Sequence, residues 1–406
     1  MTRRSAAGTL VCILLVAALL GAPSVPAGGA TGANLPADRA AVVSSLTQAL
    51  EDYLAARSAA EHVSAASLSV RGVPSSIDVA AGRTRVGGTS PVTPDALFQM
   101  GSNTKAFTAV MLLQLAAEGR LTLDDPLGLW LPQYPAWREV SIRSLLNMTS
   151  RIPTYDETPY FLRALGSGPD IDWTAPQLVA VVYPTVGPPP PRGPGWIYSN
   201  TNYILAQMII ERATHDSYGD QLRRRIVRPL GLRNLFFSAT RYPGGVLARL
   251  PAGYCYFSPD AVPQLTSQFG KDQTRHTLST NQASGGIISS LQDVAIWDRA
   301  LYSGRELPRK QQRELESLVS EATGKPISRA TPSDPTAFGL GVGQMTSPAG
   351  KAWFYEGQTL GFRVLHVYFA RTGTNVVAAV NSGTDNDHLN LLAASVYQTL
   401  HQAGLV

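Results

Sequence analysis

From Ala106 to Ala117 nearly every residue is apolar, with Phe107, Val110, Met111, Leu112, Leu113 and Leu115 spread around all sides of a helical wheel before Gly119. A helix that is apolar on every side is a buried one, so the pattern predicts a core helix starting at Ser102 and stopping at Gly119. Leu46, Leu50, Tyr53 and Leu54 recur at helical spacing within 37–59 and predict an amphipathic N-terminal helix. Two alternating runs, 66–71 and 77–81, flank Gly72, Pro74 and two serines, the mark of a hairpin. Residues 96–100 form a brief extended piece leading into Ser102.

Beyond Gly119 the texture changes to helix and loop. A short helix is expected at 141–148 with serine at its cap, and Thr174-Ala-Pro-Gln177 has capping-box spacing with proline in the first turn, which predicts a helix over 175–183. The Pro/Gly-rich stretch 184–195 cannot continue it and reads as a rigid extended loop delivering the chain to Trp196. Another apolar helix is expected at 202–214, and 221–227 stops at Pro229-Leu-Gly-Leu232. No convincing strand falls between 122 and 275. Strand patterns return at 338–342, 352–356, 362–369 and 375–380, and a helix over 389–402 closes the chain. Strands at both ends around a helical middle predict an α+β fold: an antiparallel sheet flanked by helices, built from 31–121 and 276–406, with 122–275 an inserted, mostly helical domain.

Charge and composition narrow the function classes. Residues 1–30 read as a secretory signal, with Arg3 and Arg4, an apolar stretch from Leu10 to Leu20, then small residues through Ala27 and Ala30. That stretch is shorter than the roughly 20 residues of a spanning helix, so the mature chain is expected to be exported to the cell envelope or beyond, without a stable membrane span. Losing Arg3 and Arg4 takes the net charge from +5 to +3 (5 − 2). The basic residues are scattered, so nucleic-acid binding is not expected. Cys12 leaves with the signal and Cys255 remains alone, which excludes an intramolecular disulfide. The six histidines lack metal-ligand spacing, and neither a Gly-x-Ser-x-Gly elbow nor a glycine-rich phosphate loop is found. No metal or cofactor is expected.

The candidate chemistry lies at Ser102 and Lys105. Three residues apart, they share one helical face, and Lys105 alone of the five lysines has a serine three positions upstream. A lysine one turn into a buried helix is costly unless partnered or neutral, and a neutral lysine beside serine acts as a general base. Tyr198-Ser-Asn200 stands at a loop-to-helix corner, where its side chains face a cleft. Tyrosine shares protons with lysine, and asparagine hydrogen-bonds an acyl amide.

The chain resembles the penicillin-recognising serine hydrolases, which include class C β-lactamases, D-alanyl-D-alanine carboxypeptidases and related esterases. The resemblance runs over roughly 66–381 and rests on Phe98-Gln-Met-Gly-Ser-Asn-Thr-Lys105, Ser144-Leu-Leu-Asn-Met-Thr-Ser150, Pro194-Gly-Trp-Ile-Tyr-Ser-Asn200, Arg228-Pro-Leu-Gly-Leu232 and Ser284-Gly-Gly-Ile-Ile-Ser289. It implies a β-lactamase/transpeptidase-like fold, Ser102 as nucleophile, Lys105 and Tyr198 as the proton-handling pair, and Asn200 as a substrate contact. The family's third motif, Lys-Thr-Gly or His-Thr-Gly, is here Tyr355-Glu-Gly-Gln358. The Gln358 N–H is expected to join that of Ser102 as an oxyanion hole. Tyr355, at the cation's position, and Gly357 are expected to line the substrate site. Glu356 is expected to repel a substrate carboxylate, and Arg363, farther along the strand, is the candidate to compensate, although the sequence does not place it. The implied activity is hydrolysis of a small-molecule or peptidoglycan-like amide through an acyl-serine, in the manner of a carboxypeptidase or β-lactamase. An esterase or lactonase acting on a neutral acyl group, and a binding protein that keeps the fold without catalysis, stand as alternatives.

Overall fold

The computed structural model describes residues 39–168, 170–184, 195–347 and 350–406. The segment read as an export signal, with Cys12, and most of the proline-rich loop lie outside the described residues.

The opening helix α1 (Arg39–Glu61) buries Val42, Leu46, Leu50 and Tyr53, the positions at helical spacing. The hairpin follows as β1 (Ala65–Arg71) and β2 (Ile77–Gly82), antiparallel, with Leu68 opposite Val79. The remaining strands of this sheet come late in the chain: β3 (Leu318–Ser320), β4 (Pro326–Ile327), β5 (Thr336–Phe338), β6 (Gly343–Ser347), β7 (Gly350–Gln358), β8 (Arg363–Phe369) and β9 (Thr374–Val380). Among the described residues the sheet has the order β2-β1-β9-β8-β7-β6-β5-β3-β4. The two ends of the sequence meet where β1 pairs with β9, Ala66 opposite Val380.

Period-two alternation sorts the sheet's side chains onto two faces. Ala66, Leu68, Leu365, Val367, Val376 and Ala378 pack with α1 and with the last helix, which runs Leu389–Gln402. Val364, Tyr368, Val377 and Ala379 face the other core, where the apolar helix α2 (Thr104–Ala117), α3 (Asn200–Thr214) and α4 (Leu291–Tyr302) lie. The last helix becomes α5. Within the second core Phe107 stacks on buried Trp297 with ring centroids 4.1 Å apart. Trp297→Ala is expected to cost about 3–5 kcal/mol of stability, read as a lower urea midpoint.

Three expectations need correction. The stretch 122–275 does contain strands: Leu235–Phe237 pairs with Ile287–Ser290, and Tyr254–Tyr256 pairs in parallel with Ser382–Thr384. Each is three residues long and ordered by a remote partner, so no local alternation announces it. The strand expected over 338–342 is instead the last residue of β5 followed by a bend that leads into β6. Gly341 sits at φ +77° against α2, where a Cβ would come within 2.9 Å of the Lys105 carbonyl oxygen. Finally, the α-helix begins at Thr104, not Ser102. A 3-10 turn spans Gly101–Asn103.

Candidate active site

That tight turn is where the candidate nucleophile sits. Gly101 adopts φ +50°, a conformation open to glycine, and a Cβ on it would lie 2.5 Å from Gln358 N. Gly357 is its counterpart on β7: a Cβ there would overlap Met100 O and lie 2.8 Å from Ser102 N. Two glycines therefore let the nucleophile turn and the end of β7 touch backbone to backbone. This brings the amides of Ser102 and Gln358, the expected oxyanion donors, onto adjoining segments.

Lys105, one turn into α2, is fully buried. Its Nζ donates to Ser102 Oγ at 2.9 Å and to the Ser284 carbonyl oxygen at 2.8 Å. The Nζ lies 4.8 Å from the ring centroid of Tyr198 and 5.5 Å from that of Tyr203, so aromatic faces further stabilise positive charge at this point. Tyr198, on the loop entering α3, donates from its hydroxyl to Ser102 Oγ at 2.7 Å. Tyr355 of β7 is on the same side of the sheet, with its hydroxyl 3.4 Å from that of Tyr198. Ser102, Lys105, Tyr198 and Tyr355 are thus brought together.

Asn200 opens α3. Its amide nitrogen Nδ2 donates to Asp156 Oδ2 at 2.6 Å, and its backbone N–H donates to Thr154 Oγ1 at 3.0 Å. Asn200 Oδ1 is buried without a hydrogen-bond partner among the described residues. Thr154 Oγ1 in turn donates to Asp156 Oδ1. Asp156 is thereby held at the edge of a pocket of about 100 Å³ that contains Ser102, Asn200, Gln358 and the apolar side chains of Phe161, Leu165 and Leu360. Among the described residues no arginine or lysine lines it; Lys105 is bonded to Ser102 but is not part of the lining. The sequence reading passed over Asp156, although an acidic pair in the loop Thr154-Tyr-Asp-Glu-Thr158, between Pro153 and the Pro159 that opens a helix, marked a candidate. The neighbouring Glu157 is pushed up to about 7 by burial and by the Asp156 charge.

Two polar networks fix the nucleophile turn and β7 from behind. On the site's side of the sheet, Asn103 Nδ2 donates to Met100 O at 3.0 Å and Val364 O at 2.9 Å, which leaves its Oδ1 to accept from His366 Nδ1 at 2.8 Å. Burial takes His366 down to about 3, so the ring is neutral. With its proton on Nδ1, Nε2 accepts from Tyr302 OH at 2.9 Å.

On the opposite face lie Glu356 and Arg363, contrary to expectation. Alternation along β7 points Tyr355 into the site and turns Glu356 away from it. Fully buried Arg363, opposite Gln358 on β8, donates to Ser382 O at 2.8 Å and to Glu61 Oε2 at 2.9 Å, and pairs with Asp387. Its charge is consumed there. Glu356 therefore does not face a substrate carboxylate and Arg363 does not compensate for it. Among the described residues no group of three or more His, Cys, Asp or Glu side chains is placed to hold a metal ion, and no helix is long and apolar enough to cross a membrane.

An antiparallel sheet with helices on both faces and a serine-lysine-tyrosine cluster against its middle strand, β7, is the β-lactamase/transpeptidase-like arrangement. The chain belongs to the beta-lactamase family, whose model matches residues 50–400 and whose members are serine hydrolases. It is 25% identical over 307 residues to penicillin-binding protein 4* of Bacillus subtilis, an alignment covering 73% of this chain and 63% of that protein's length. Among solved structures, a D-stereospecific amidohydrolase from Streptomyces sp. superposes with a TM-score of 0.72 at 29% identity, covering 87% of this chain and 98% of that one. The D-amino acid amidase from Ochrobactrum anthropi SV3 superposes with a TM-score of 0.73 at 26% identity, covering 90% and 99%.

Proposed function

We propose that this chain is an exported serine hydrolase that cleaves the amide of a D-amino acid derivative bearing a free ammonium group, through an acyl-Ser102 intermediate. The carrying observation is Ser102 Oγ bracketed by Lys105 Nζ and Tyr198 OH in a pocket that also presents Asp156. Ser102 Oγ forms a bond to the substrate carbonyl carbon. Its proton passes to the Lys105–Tyr198 pair and from there to the departing nitrogen as the C–N bond breaks. The N–H groups of Ser102 and Gln358 receive the developing oxyanion. Water then adds to the acyl carbon and Ser102 leaves.

Substrate choice follows from charge. A penicillin or a D-alanyl-D-alanine peptide brings a carboxylate, and Tyr355 now stands where the family's cation would meet it. A substrate ammonium finds Asp156, which favours an amino-acid amide over the carboxypeptidase and β-lactamase readings. The two similar solved proteins, a D-stereospecific amidohydrolase and a D-amino acid amidase, support the same reading. The apolar walls suit the substrate's side chain, and an ester of the same acyl group is expected to react by the same steps.

The test is to label the protein with a fluorophosphonate probe, map the modified peptide, and measure turnover of D-phenylalanine amide and its N-acetyl derivative. Label at Ser102 and preference for the free amine are expected. Asp156→Asn is expected to lower kcat/KM for the free amine by roughly 10- to 100-fold, the loss of a hydrogen bond between charged groups, and to leave the N-acetyl substrate unaffected. Equal loss on both substrates would remove Asp156 from ammonium recognition, and absence of label would favour a binding protein.

A further inference from the structure

The Ser284 carbonyl that accepts from Lys105 Nζ belongs to the short helical turn Gln282–Gly285, and that turn opens in an unfavourable conformation. Gln282 adopts φ +38°, in the left-handed region that a residue with a Cβ enters rarely and at a cost. Such a conformation persists only where the surroundings over-determine it. Here two buried side-chain amides do so. Gln282 Nε2 donates to Trp173 O at 2.8 Å, and Gln282 Oε1 accepts from Gln207 Nε2 of α3 at 2.9 Å. Gln207 Nε2 also donates to Glu211 Oε1 at 3.2 Å, and Gln207 Oε1 accepts from the backbone N–H of Ala283 at 3.1 Å. A carbonyl oxygen only accepts and a backbone N–H only donates, so Trp173 O at one end and Ala283 N at the other fix the orientation of both amides. Trp173 is anchored in turn, since its own N–H donates to Ser279 Oγ at 2.9 Å.

This clamp holds one side of the turn, and α2 meets the other. Ala283 O accepts from Thr108 Oγ1 at 2.9 Å and Ser284 O accepts from Lys105 Nζ at 2.8 Å. Two successive carbonyls of the turn thus meet residues three apart on α2. Relaxation of Gln282 to right-handed backbone would rotate the peptide planes that follow it and carry those carbonyls off their partners. The Lys105 amine would then lose one of the bonds that set its place beside Ser102 Oγ.

We propose that Gln282 and Gln207 are positioning residues: their paired amides hold the backbone at Gln282 left-handed and thereby aim the Ser284 carbonyl at Lys105, which keeps the amine on the Ser102 hydroxyl. The role rests on the acyl-serine reading above.

The test separates conformation from packing. Gln282→Leu keeps the bulk but makes neither bond, so nothing holds the left-handed backbone. It is expected to slow fluorophosphonate labelling of Ser102 by roughly 10- to 100-fold, the scale of a small misplacement of a reacting group. The label should still go to completion, which distinguishes a misplaced lysine from a partly unfolded sample. Gln207→Leu, which removes the other half of the clamp, is expected to slow labelling as much. Gln282→Gly removes more packing and bonds no partner, yet it is expected to label within about fivefold of wild type, because glycine enters the left-handed region freely and loses only its extra chain entropy. A side chain that merely filled the core would give the opposite order. In a Lys105→Met background, adding Gln282→Leu is expected to change the residual labelling rate by no more than about twofold, since the effect passes through the lysine.

A wild-type rate in either leucine variant overturns the positioning role. So does a glycine variant as slow as the leucine variant, or a full further loss from Gln282→Leu in the Lys105→Met background. A wild-type chain that never labels at Ser102 overturns the acyl-serine reading itself, an outcome distinct from the other three, in each of which the wild type labels.

Discussion

Replacing Lys105 by methionine is expected to slow acylation of Ser102 by roughly 10³-fold, within the range over which a positioned acid-base group acts, in a protein that remains folded. Lys105 is fully buried and its Nζ lies 2.9 Å from Ser102 Oγ. Methionine fills a similar volume and adapts to the same channel, but it neither accepts the serine proton nor returns one. The substitution also takes the donor from Ser284 O, now bound at 2.8 Å, and an orphaned buried carbonyl costs about 1–3 kcal/mol. Removing a buried amine offsets part of that, so the melting temperature should move far less than the rate. The measurement is the second-order rate of fluorophosphonate labelling beside a thermal melt. Ser102→Ala should take no label at the mapped peptide. Labelling of Lys105→Met at the wild-type rate would reduce the lysine to a structural role.

The parts of this site that local chemistry dictates were legible in the sequence. Ser102 and Lys105 stand three positions apart in front of an all-apolar run, and a tight turn passing into a helix keeps that spacing on one face even though the α-helix begins two residues later. Tyr198 and Asn200 precede an apolar helix, and entry into that helix aims them at the same cleft. Legibility ended where the answer depended on which face of a strand meets which layer. Alternation separates Tyr355 from Glu356, yet only the packing of α1 and α5 on one side of the sheet and α2 on the other decides which of them enters the site. The charge reading of Glu356 and Arg363 failed for this reason. Both belong to a cluster that ties Glu61, Asp387 and His388, residues separated by more than three hundred positions, to the back of β7. Asp156 was missed for a related reason. A carboxylate in a loop is most often solvated, and only its bonds to Thr154 and Asn200 hold it toward Ser102.

Gly357→Ala is expected to reduce acylation by roughly 10²- to 10³-fold, the cost of losing an oxyanion donor. It acts by geometry alone. The added methyl would overlap Met100 O and stand 2.7 Å from Asn103 Nδ2 and 2.8 Å from Ser102 N. Two of those atoms are backbone, and Asn103 is fastened to Val364 O and His366, so none can yield as the tip of a flexible side chain would. The end of β7 must instead move away from the nucleophile turn. That movement carries the Gln358 N–H off its point of convergence with the Ser102 N–H, although Ser102, Lys105 and Tyr198 all remain. Overpacking of this kind costs about 1–3 kcal/mol of stability, a loss that a urea melt separates from the kinetic defect. Gly245→Ala is the control, since a Cβ there meets nothing within 4 Å; it should leave both rate and stability near wild type. Wild-type labelling of a folded Gly357→Ala protein would show that the nucleophile turn does not need β7 at this distance, and the Gln358 N–H would then have to be given up as an oxyanion donor.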